Sequence, residues 1–479
     1  MPIVASVLRL RRVVGRGLMA NSKRPAQRTA SSRKSNQAGS KANAHGNAAA
    51  QRNSAASRRP ENGKRPAAGP RAGRGSGHDG YDMHDGHDSN HDDRGSRGIR
   101  ALSNPLWCYH GFRIAVVALT CFGVIMVFSS SSVTMISLGV SPWKQAISQG
   151  IYCVMGFVLG IIAAHVPLKT YRRFSFPLIC CAIVLQLVTL TPLGVSVNGN
   201  AGWIGIPGVF TMQPAEVVKL SLCVWMPAAV ERSTSRYEAD GIRAYAKPAG
   251  VFALCLLSVM AGQDLGTAMI LVFIGAVAML IGGFPLRWFF GIVVLLVVFI
   301  VAFVVTSPNR MKRILAAYKP CTSDDVAGVC YQAIHAKYAM GSGGLLGVGI
   351  GNSREKWNYL PEAHNDFIFA IIGEETGFIG AVMVIVLFAI LGWCLVCVAL
   401  QMKNRYVAMV LVCIAMWLVG QALVNIMVVI GFLPVMGVPL PFVSAGGSSL
   451  IMCLIAAGVG VSMMRVHPQI NAGTSTLNS

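Results

Sequence analysis

Between residues 114 and 464 the chain alternates long uncharged apolar runs with short polar breaks. A helix crossing about 30 Å of hydrocarbon needs roughly 20 apolar residues. Ten runs approach that length and predict spans at 114–136, 145–166, 174–193, 214–230, 248–263, 266–284, 288–306, 367–400, 407–432 and 448–464. The stretch from Tyr406 to Met464 has no charged residue and is divided by Pro434–Ser449. The eighth run is longer than a bilayer requires, so its first turns should stand above the bilayer or pack against protein. The expected fold is all-α, a polytopic membrane helical bundle of about ten transmembrane helices.

Lys and Arg set the orientation. Arg113 precedes the first span. Lys169, Arg172 and Arg173 follow the second, and Arg232, Arg236, Arg243 and Lys247 follow the fourth. Arg287 follows the sixth, Lys403 and Arg405 the eighth, and Arg465 the last. Ten spans put all of these on one side, with both termini cytoplasmic. Opposite them lie short loops with almost no basic residue besides Lys144, and one large extracellular loop, 307–366. That loop carries Arg310, Lys312, Arg313, Lys319, Lys337, Arg354 and Lys356. Long loops are weakly governed by the charge rule, and a basic outer loop suits an anionic diphosphate.

Composition supports lipid as the solvent. Only 13% of residues are charged and 54% are hydrophobic, whereas a soluble domain carries about 25% charged residues. Mean hydropathy is +0.56. Residues 1–100 hold 20 Lys and Arg against 7 Asp and Glu, more than half of the chain's net +22. Residues 1–104 have too few large apolar side chains to offset their ordering entropy. They read as a disordered basic cytoplasmic tail that could lie against anionic membrane lipids; no nucleic acid partner is expected. Residues 105–466 form the membrane domain, and 467–479 a short cytoplasmic C-terminal tail. His78, His84, His87 and His91 alternate with Asp residues but have no packed scaffold, so no metal site is predicted there. Of 13 Cys, eleven lie in or beside apolar runs and read as small hydrophobes. Cys321 and Cys330 sit close together in the polar outer loop and are a candidate disulfide in an oxidising compartment.

Ionisable groups within spans are costly and mark function by default. Glu216 and Lys219 share a helical face. They either neutralise each other or leave Lys219 facing a cavity where it attracts phosphate. Asp264 either caps the following helix or touches substrate. Glu362, His364 and Asp366 cluster where the long loop meets the eighth span, which puts Asp366 at the outer mouth of the bundle. Glu374 and Glu375 need partners or a hydrated cavity; a regular helix places Glu374 roughly 12 Å deeper than Asp366. The Gly-rich stretch 341–353 follows no strand and is not a dinucleotide fingerprint. Gly446-Gly447-Ser448-Ser449 opens the last span, where a helix N-terminus could meet an anion.

In this order the segments resemble the SEDS family, the FtsW/RodA/SpoVE proteins of shape, elongation, division and sporulation. The resemblance rests on Val124–Ser132, Val197-Asn198-Gly199 with Trp203-Ile204, Gln213-Pro214 with Glu216 and Lys219, Asp264–Thr267, Gly343–Ser353, Tyr359–Glu375 and Pro439–Ser449. It covers residues 106–466, and the wording of Tyr359–Glu375 is closer to the division branch than to the elongation branch. It implies a peptidoglycan glycosyltransferase that polymerises lipid II by inverting hexosyl transfer on the outer face of the cytoplasmic membrane, enriched at the division septum. Implied partners are a class B penicillin-binding protein transpeptidase and other division proteins. The family's essential acid falls on Asp366, and Glu216, Lys219 and Trp203 fall near its central cavity. Ala215, Gly262-Gln263, Asn365 and Ala445 depart from the usual pattern. Asn200-Ala201-Gly202 stands where many members have basic residues, so some phosphate contacts should come from elsewhere.

An inverting displacement needs a base beside the nucleophile and positive charge at the leaving group. Asp366 is the expected catalytic base. Lys219, Glu216, Trp203, Asp264, Glu362 and His364 are the expected substrate-binding residues, with loop cations helping Lys219. A divalent cation, Mg or Mn, could share that task, although the sequence holds no closed metal cage. The same intramembrane charges also fit a lipid II flippase, and an elongation-type polymerase or a scaffold for division proteins are further alternatives. A polymerase needs its critical acid on the outer face, where Asp366 is expected; a transporter needs charge at mid-depth.

Overall fold

Local chemistry sets the helix boundaries at most breaks. The computed structural model describes residues 103–197, 200–206, 210–306, 311, 314, 318 and 330–475. Asn104 caps α1 (Pro105–Ser137), accepting the Leu106 N–H at 3.0 Å, with Pro105 in the first turn. Then come α2 (Trp143–His165) and α3 (Leu168–Val188). Pro214 opens α4 (Pro214–Asp240), which passes through a 3-10 turn, Gly241–Tyr245, into α5 (Ala246–Ala261). Asp264 caps α6 (Leu265–Ile281), and α7 is Leu286–Val305. The outer loop contributes α8 (Tyr331–Ser342). The long α9 (Ile368–Gln401) precedes α10 (Arg405–Val429), capped by Asn404, then α11 (Gly447–Met464) and α12 (Pro468–Ser475).

Each of the ten expected spans coincides with one helix. Among the described residues seven helical runs are long and apolar enough to cross a membrane, with Pro214–Ala261 counted as one; Leu265–Ile281 and Leu286–Ala302 are shorter apolar helices. The core sits around α10, 83% buried over its apolar window, whereas α2 is 17% buried and turns its side chains to lipid. α2 packs closely on α11, where a side chain at Gly160 or Gly458 would strike the facing backbone.

The structure bears out the helical bundle and adds three details to the sequence reading. First, β1 (Gly194–Val197), β2 (Asn200–Ile206) and β3 (Phe210–Met212) form a small three-stranded antiparallel sheet between α3 and α4. Val195 pairs with Trp203, and Ile204 with Met212. Val195 and Val197 alternate before Asn198-Gly199, which is a hairpin signal in the sequence. Second, the outer loop contains a helix, α8. Third, α9 is not regular from Asp366 onward. Gly377 is non-helical (φ 68°, ψ −166°), so a buried segment from Ile368 to Thr376 precedes a span from Phe378 to Gln401. At 1.5 Å per residue that span is about 36 Å, close to a bilayer's thickness.

The Gly-rich loop heals this break. Val348 and Gly349 N–H donate to the Glu374 and Glu375 carbonyls at 3.0 Å each, and Phe378 N–H donates to Gly344 O at 2.9 Å. Gly343 and Gly347 lie so close to the backbone at Gly373 and Glu375 that neither has room for a Cβ. The first turns of α9 therefore pack against protein, as the length of that run predicts.

Basic side chains gather at one end. Arg465 donates to the Tyr109 hydroxyl at 3.1 Å and to Ala164 O at 3.2 Å. Arg172 pairs with Glu231 at 2.6 Å, and Arg405 donates to Gly282 O. Ser129, Gln149, Gln213, Asp264, Lys356, Asp366 and Ser444 lie at the opposite end. The histidine–aspartate tract and the rest of the N-terminal tail fall outside the described residues, as do residues 476–479.

Candidate active site

The chain segment before α9 is a turn held by its own side chains. Glu362 takes a left-handed backbone (φ 57°); its carbonyl accepts the Asn365 N–H at 3.0 Å and its carboxylate accepts Asn365 Nδ2 at 2.6 Å. The turn is fastened to the connection between α10 and α11. Ala445 N–H donates to His364 O at 2.9 Å, Ser444 Oγ to Asn365 O at 2.7 Å, and Asn425 Nδ2 to Asp366 O at 2.7 Å. Asn425 also donates to Val438 O at 2.7 Å, and Gln421 to Pro439 O at 2.9 Å. These bonds occupy the carbonyls of three successive residues and fix where the Asp366 side chain leaves the backbone.

That carboxylate is different: among the described residues nothing donates a hydrogen bond to it. Gly437 (φ 68°) lies beside it, and a Cβ there would stand 3.6 Å from Asp366 Oδ2. Asp264 caps α6 through Oδ1, which accepts the Thr267 N–H at 2.9 Å, while Gln213 Nε2 holds Oδ2 at 2.7 Å. Burial, then the charge of Glu362, then that of Asp264 push the Asp366 carboxyl up to about 7. Burial moves His364 the other way, below its ordinary value, with Glu362 opposing. Three of the four described non-glycine residues with left-handed backbone, Gln263, Glu362 and Phe442, flank this region. Such conformations cost of order 1–3 kcal/mol each and concentrate at functional sites.

The other expected site residues are placed as follows. Lys219 and Glu216 are both 1% exposed and pair at 2.9 Å. Lys219 also donates to Gln421 Oε1 at 2.8 Å and lies 5.3 Å from the Trp417 ring centroid. Trp203 is half-buried on β2, the strand that pairs with β3, which leads directly into Gln213. Glu374 accepts the Arg354 N–H at 2.9 Å and is also held by Ser353 Oγ. Glu375 pairs with Lys356 at 2.9 Å and accepts Ser129 Oγ at 2.7 Å, so Lys356 is not an open loop cation. Cys330 is disulfide-bonded, whereas Cys321 lies outside the described residues. The other described cysteines are free. Among the described residues no group of three or more His, Cys, Asp or Glu could hold a metal ion.

Gln421, Asn425, Ser444 and Gly437 organise this region and were not among the expected site residues. A signal was available for two of them: Gln421 and Asn425 are amides four residues apart in an otherwise apolar span, where an unpaired polar group is expensive.

Comparison with known proteins agrees with this architecture. The family model FTSW_RODA_SPOVE, described as "Cell cycle protein", matches residues 110–469. The "Probable peptidoglycan glycosyltransferase FtsW" of Trichlorobacter lovleyi is 35% identical over 348 residues, 72% of this chain and 90% of the relative. The protein of the same description from Escherichia coli O6:H1 is 35% identical over 338 residues, 70% of this chain and 80% of the relative. One similar solved chain comes from work described as "Structural coordination of polymerization and crosslinking by a peptidoglycan synthase complex". It has a TM-score of 0.60 and 24% identity, over 75% of this chain and 98% of that one. The rod shape determining protein RodA of Thermus thermophilus gives a TM-score of 0.53 and 24% identity, over 75% of this chain and 95% of that one.

Proposed function

Because the chain belongs to the FtsW/RodA/SpoVE family of cell cycle proteins, we propose that it is a peptidoglycan glycosyltransferase polymerising lipid II on the outer face of the cytoplasmic membrane at the division septum. The reaction joins the 4-hydroxyl of one lipid-linked disaccharide to the anomeric carbon of another. The new glycosidic bond forms as the bond to the polyprenyl diphosphate breaks, and the hydroxyl proton must go to a base. The observation that carries the assignment is the Asp366 carboxylate, which takes no donor among the described residues and lies at the end opposite the basic one. Beside Glu362 and Asp264 it is poised near neutral pH, where a base combines the deprotonated form with useful basicity.

Asp264 and Glu362 then act by raising the proton affinity of Asp366, and His364 presents its carbonyl to hold the turn. The pair Glu216–Lys219 positions Gln421 and through it the Pro439 carbonyl. Positive charge for the departing diphosphate falls to exposed loop cations, of which Lys337 and Arg354 are described. Trp203, half-buried on the sheet leading to Gln213, is the proposed contact for sugar or lipid. Residues 105–466 are the catalytic membrane domain, and a class B penicillin-binding protein is the proposed crosslinking partner. A flippase is less well supported, because Glu216, Lys219, Glu374 and Glu375 close on protein partners instead of lining a path.

Purified wild-type and Asp366→Ala protein incubated with labelled lipid II, with and without the transpeptidase partner, test the proposal. Glycan chains on a gel from wild type alone support it. Equal polymerisation by the variant, or transfer of unpolymerised lipid II across vesicles by both, overturns it.

A further inference from the structure

A second site lies at the basic end, away from Asp366. Phe176 of α3, Trp225, Ala229, Arg232, Ser233 and Arg236 of α4, and Ala244, Lys247 and Pro248 beyond it enclose a cavity of about 170 Å³. Its floor is apolar: Trp225 is 2% exposed and lies 6.4 Å from Phe176, centroid to centroid. Its rim is cationic. Lys247 Nζ lies 4.7 Å from the Phe176 ring centroid, and Arg232 and Arg236 stand one helical turn apart on α4. No acidic side chain lines the cavity, and no carboxylate among the described residues pairs with Arg232, Arg236 or Lys247. The nearby Glu231 is taken by Arg172. Ser233, buried at 6% exposure, takes no hydrogen-bond partner among the described residues. Three cations and a spare hydroxyl around a small pocket form a receptor for a phosphate ester.

We propose that this pocket binds the phosphate headgroup of an anionic phospholipid of the cytoplasmic leaflet. A lipid is favoured over a free phosphate by what adjoins the pocket. Phe174 and Phe176 are 55% and 41% exposed, and Leu254 and Leu257 on α5 are 47% and 62% exposed. These apolar faces of α3 and α5 run from the rim into the spanning region and give acyl chains a surface. Basic pockets between helices at the cytoplasmic end suit such headgroups.

The test is native mass spectrometry of the full-length protein in detergent, titrated separately with phosphatidylglycerol, cardiolipin, phosphatidylcholine and inorganic phosphate. One variant carries Arg232→Gln, Arg236→Gln and Lys247→Gln. A control carries Lys169→Gln, Arg287→Gln and Lys403→Gln, which removes equal charge from the same end outside the pocket. The expected result is saturable binding of phosphatidylglycerol or cardiolipin to wild type and control, weakened at least about tenfold in the pocket variant. Phosphatidylcholine should not compete. Equal loss in the control, unchanged binding in the pocket variant, or displacement of the lipid by phosphate at similar concentration would each overturn the proposal.

Discussion

The contact between Lys356 and Glu375 decides whether the outer loop is anchored to the bundle. Lys356 Nζ lies 2.9 Å from Glu375 Oε1, with side chains 2% and 0% exposed, and Ser129 Oγ completes the cluster. At that distance and an effective dielectric near 20, attraction is about 6 kcal/mol. Removing both ions from water costs several kcal/mol each, so the intact pair is worth little over an apolar replacement. Removing one partner leaves the other charge buried. Lys356→Met and Glu375→Leu should therefore each destabilise by about 3–5 kcal/mol. The double variant Lys356→Met, Glu375→Leu should lie within about 1 kcal/mol of wild type, which gives a coupling of at least about 5 kcal/mol. Thermal unfolding of all four members of the cycle in one detergent measures it, and limited proteolysis within 343–367 reports loop release. If the double variant is as damaged as the sum of its singles, the pair is not the closed buried contact described.

Other outcomes follow from the same contacts. Gly347→Ala, with φ 81° and no space at the Glu375 backbone, should cost about 3 kcal/mol or more. Gly351→Ala, with φ 90° but open surroundings, should cost only about 1 kcal/mol; paired melting curves compare them. Asn425→Ala should lower polymerisation at least about tenfold, because the Asp366 and Val438 carbonyls lose their shared donor; loss of stability alone, with the rate per folded molecule unchanged, would refute this. Folding raises the Asp366 pKa, so its favourable contribution is full below about 4 and lost as pH rises through about 7. Asp366→Asn should therefore melt like wild type at pH 4 and be more stable by about 2–4 kcal/mol at pH 8, as thermal scans at the two pH values would show.

Most of the bundle was legible because lipid allows few solutions. A long apolar run must be a helix, and Lys and Arg orient it. The ends of α1, α4, α6 and α10 were written in Asn104, Pro214, Asp264 and Asn404. What the sequence concealed depends on contacts between distant residues. Nothing local shows that the Gly343–Gly349 backbone pairs with residues 374–379, so the sequence alone leaves the partners that Glu374 and Glu375 need unnamed. Lys356 looked like a surface loop cation for the same reason. Asp366 was found from its place at a loop–span boundary and from the surrounding motif. The amides that fix it, Gln421 and Asn425, are polar without charge, so the rule that ionisable groups within spans mark function does not reach them.

The most direct test of the central claim is kcat/KM for lipid II polymerisation by the purified wild-type protein between pH 5 and pH 9, measured well below saturating substrate. If Asp366 is the base, the rate should fall about tenfold for each pH unit below an apparent value near 7, and Asp366→Asn should be inactive throughout. A rate that stays flat down to pH 5, or an Asp366→Asn enzyme that keeps wild-type activity, would contradict the account.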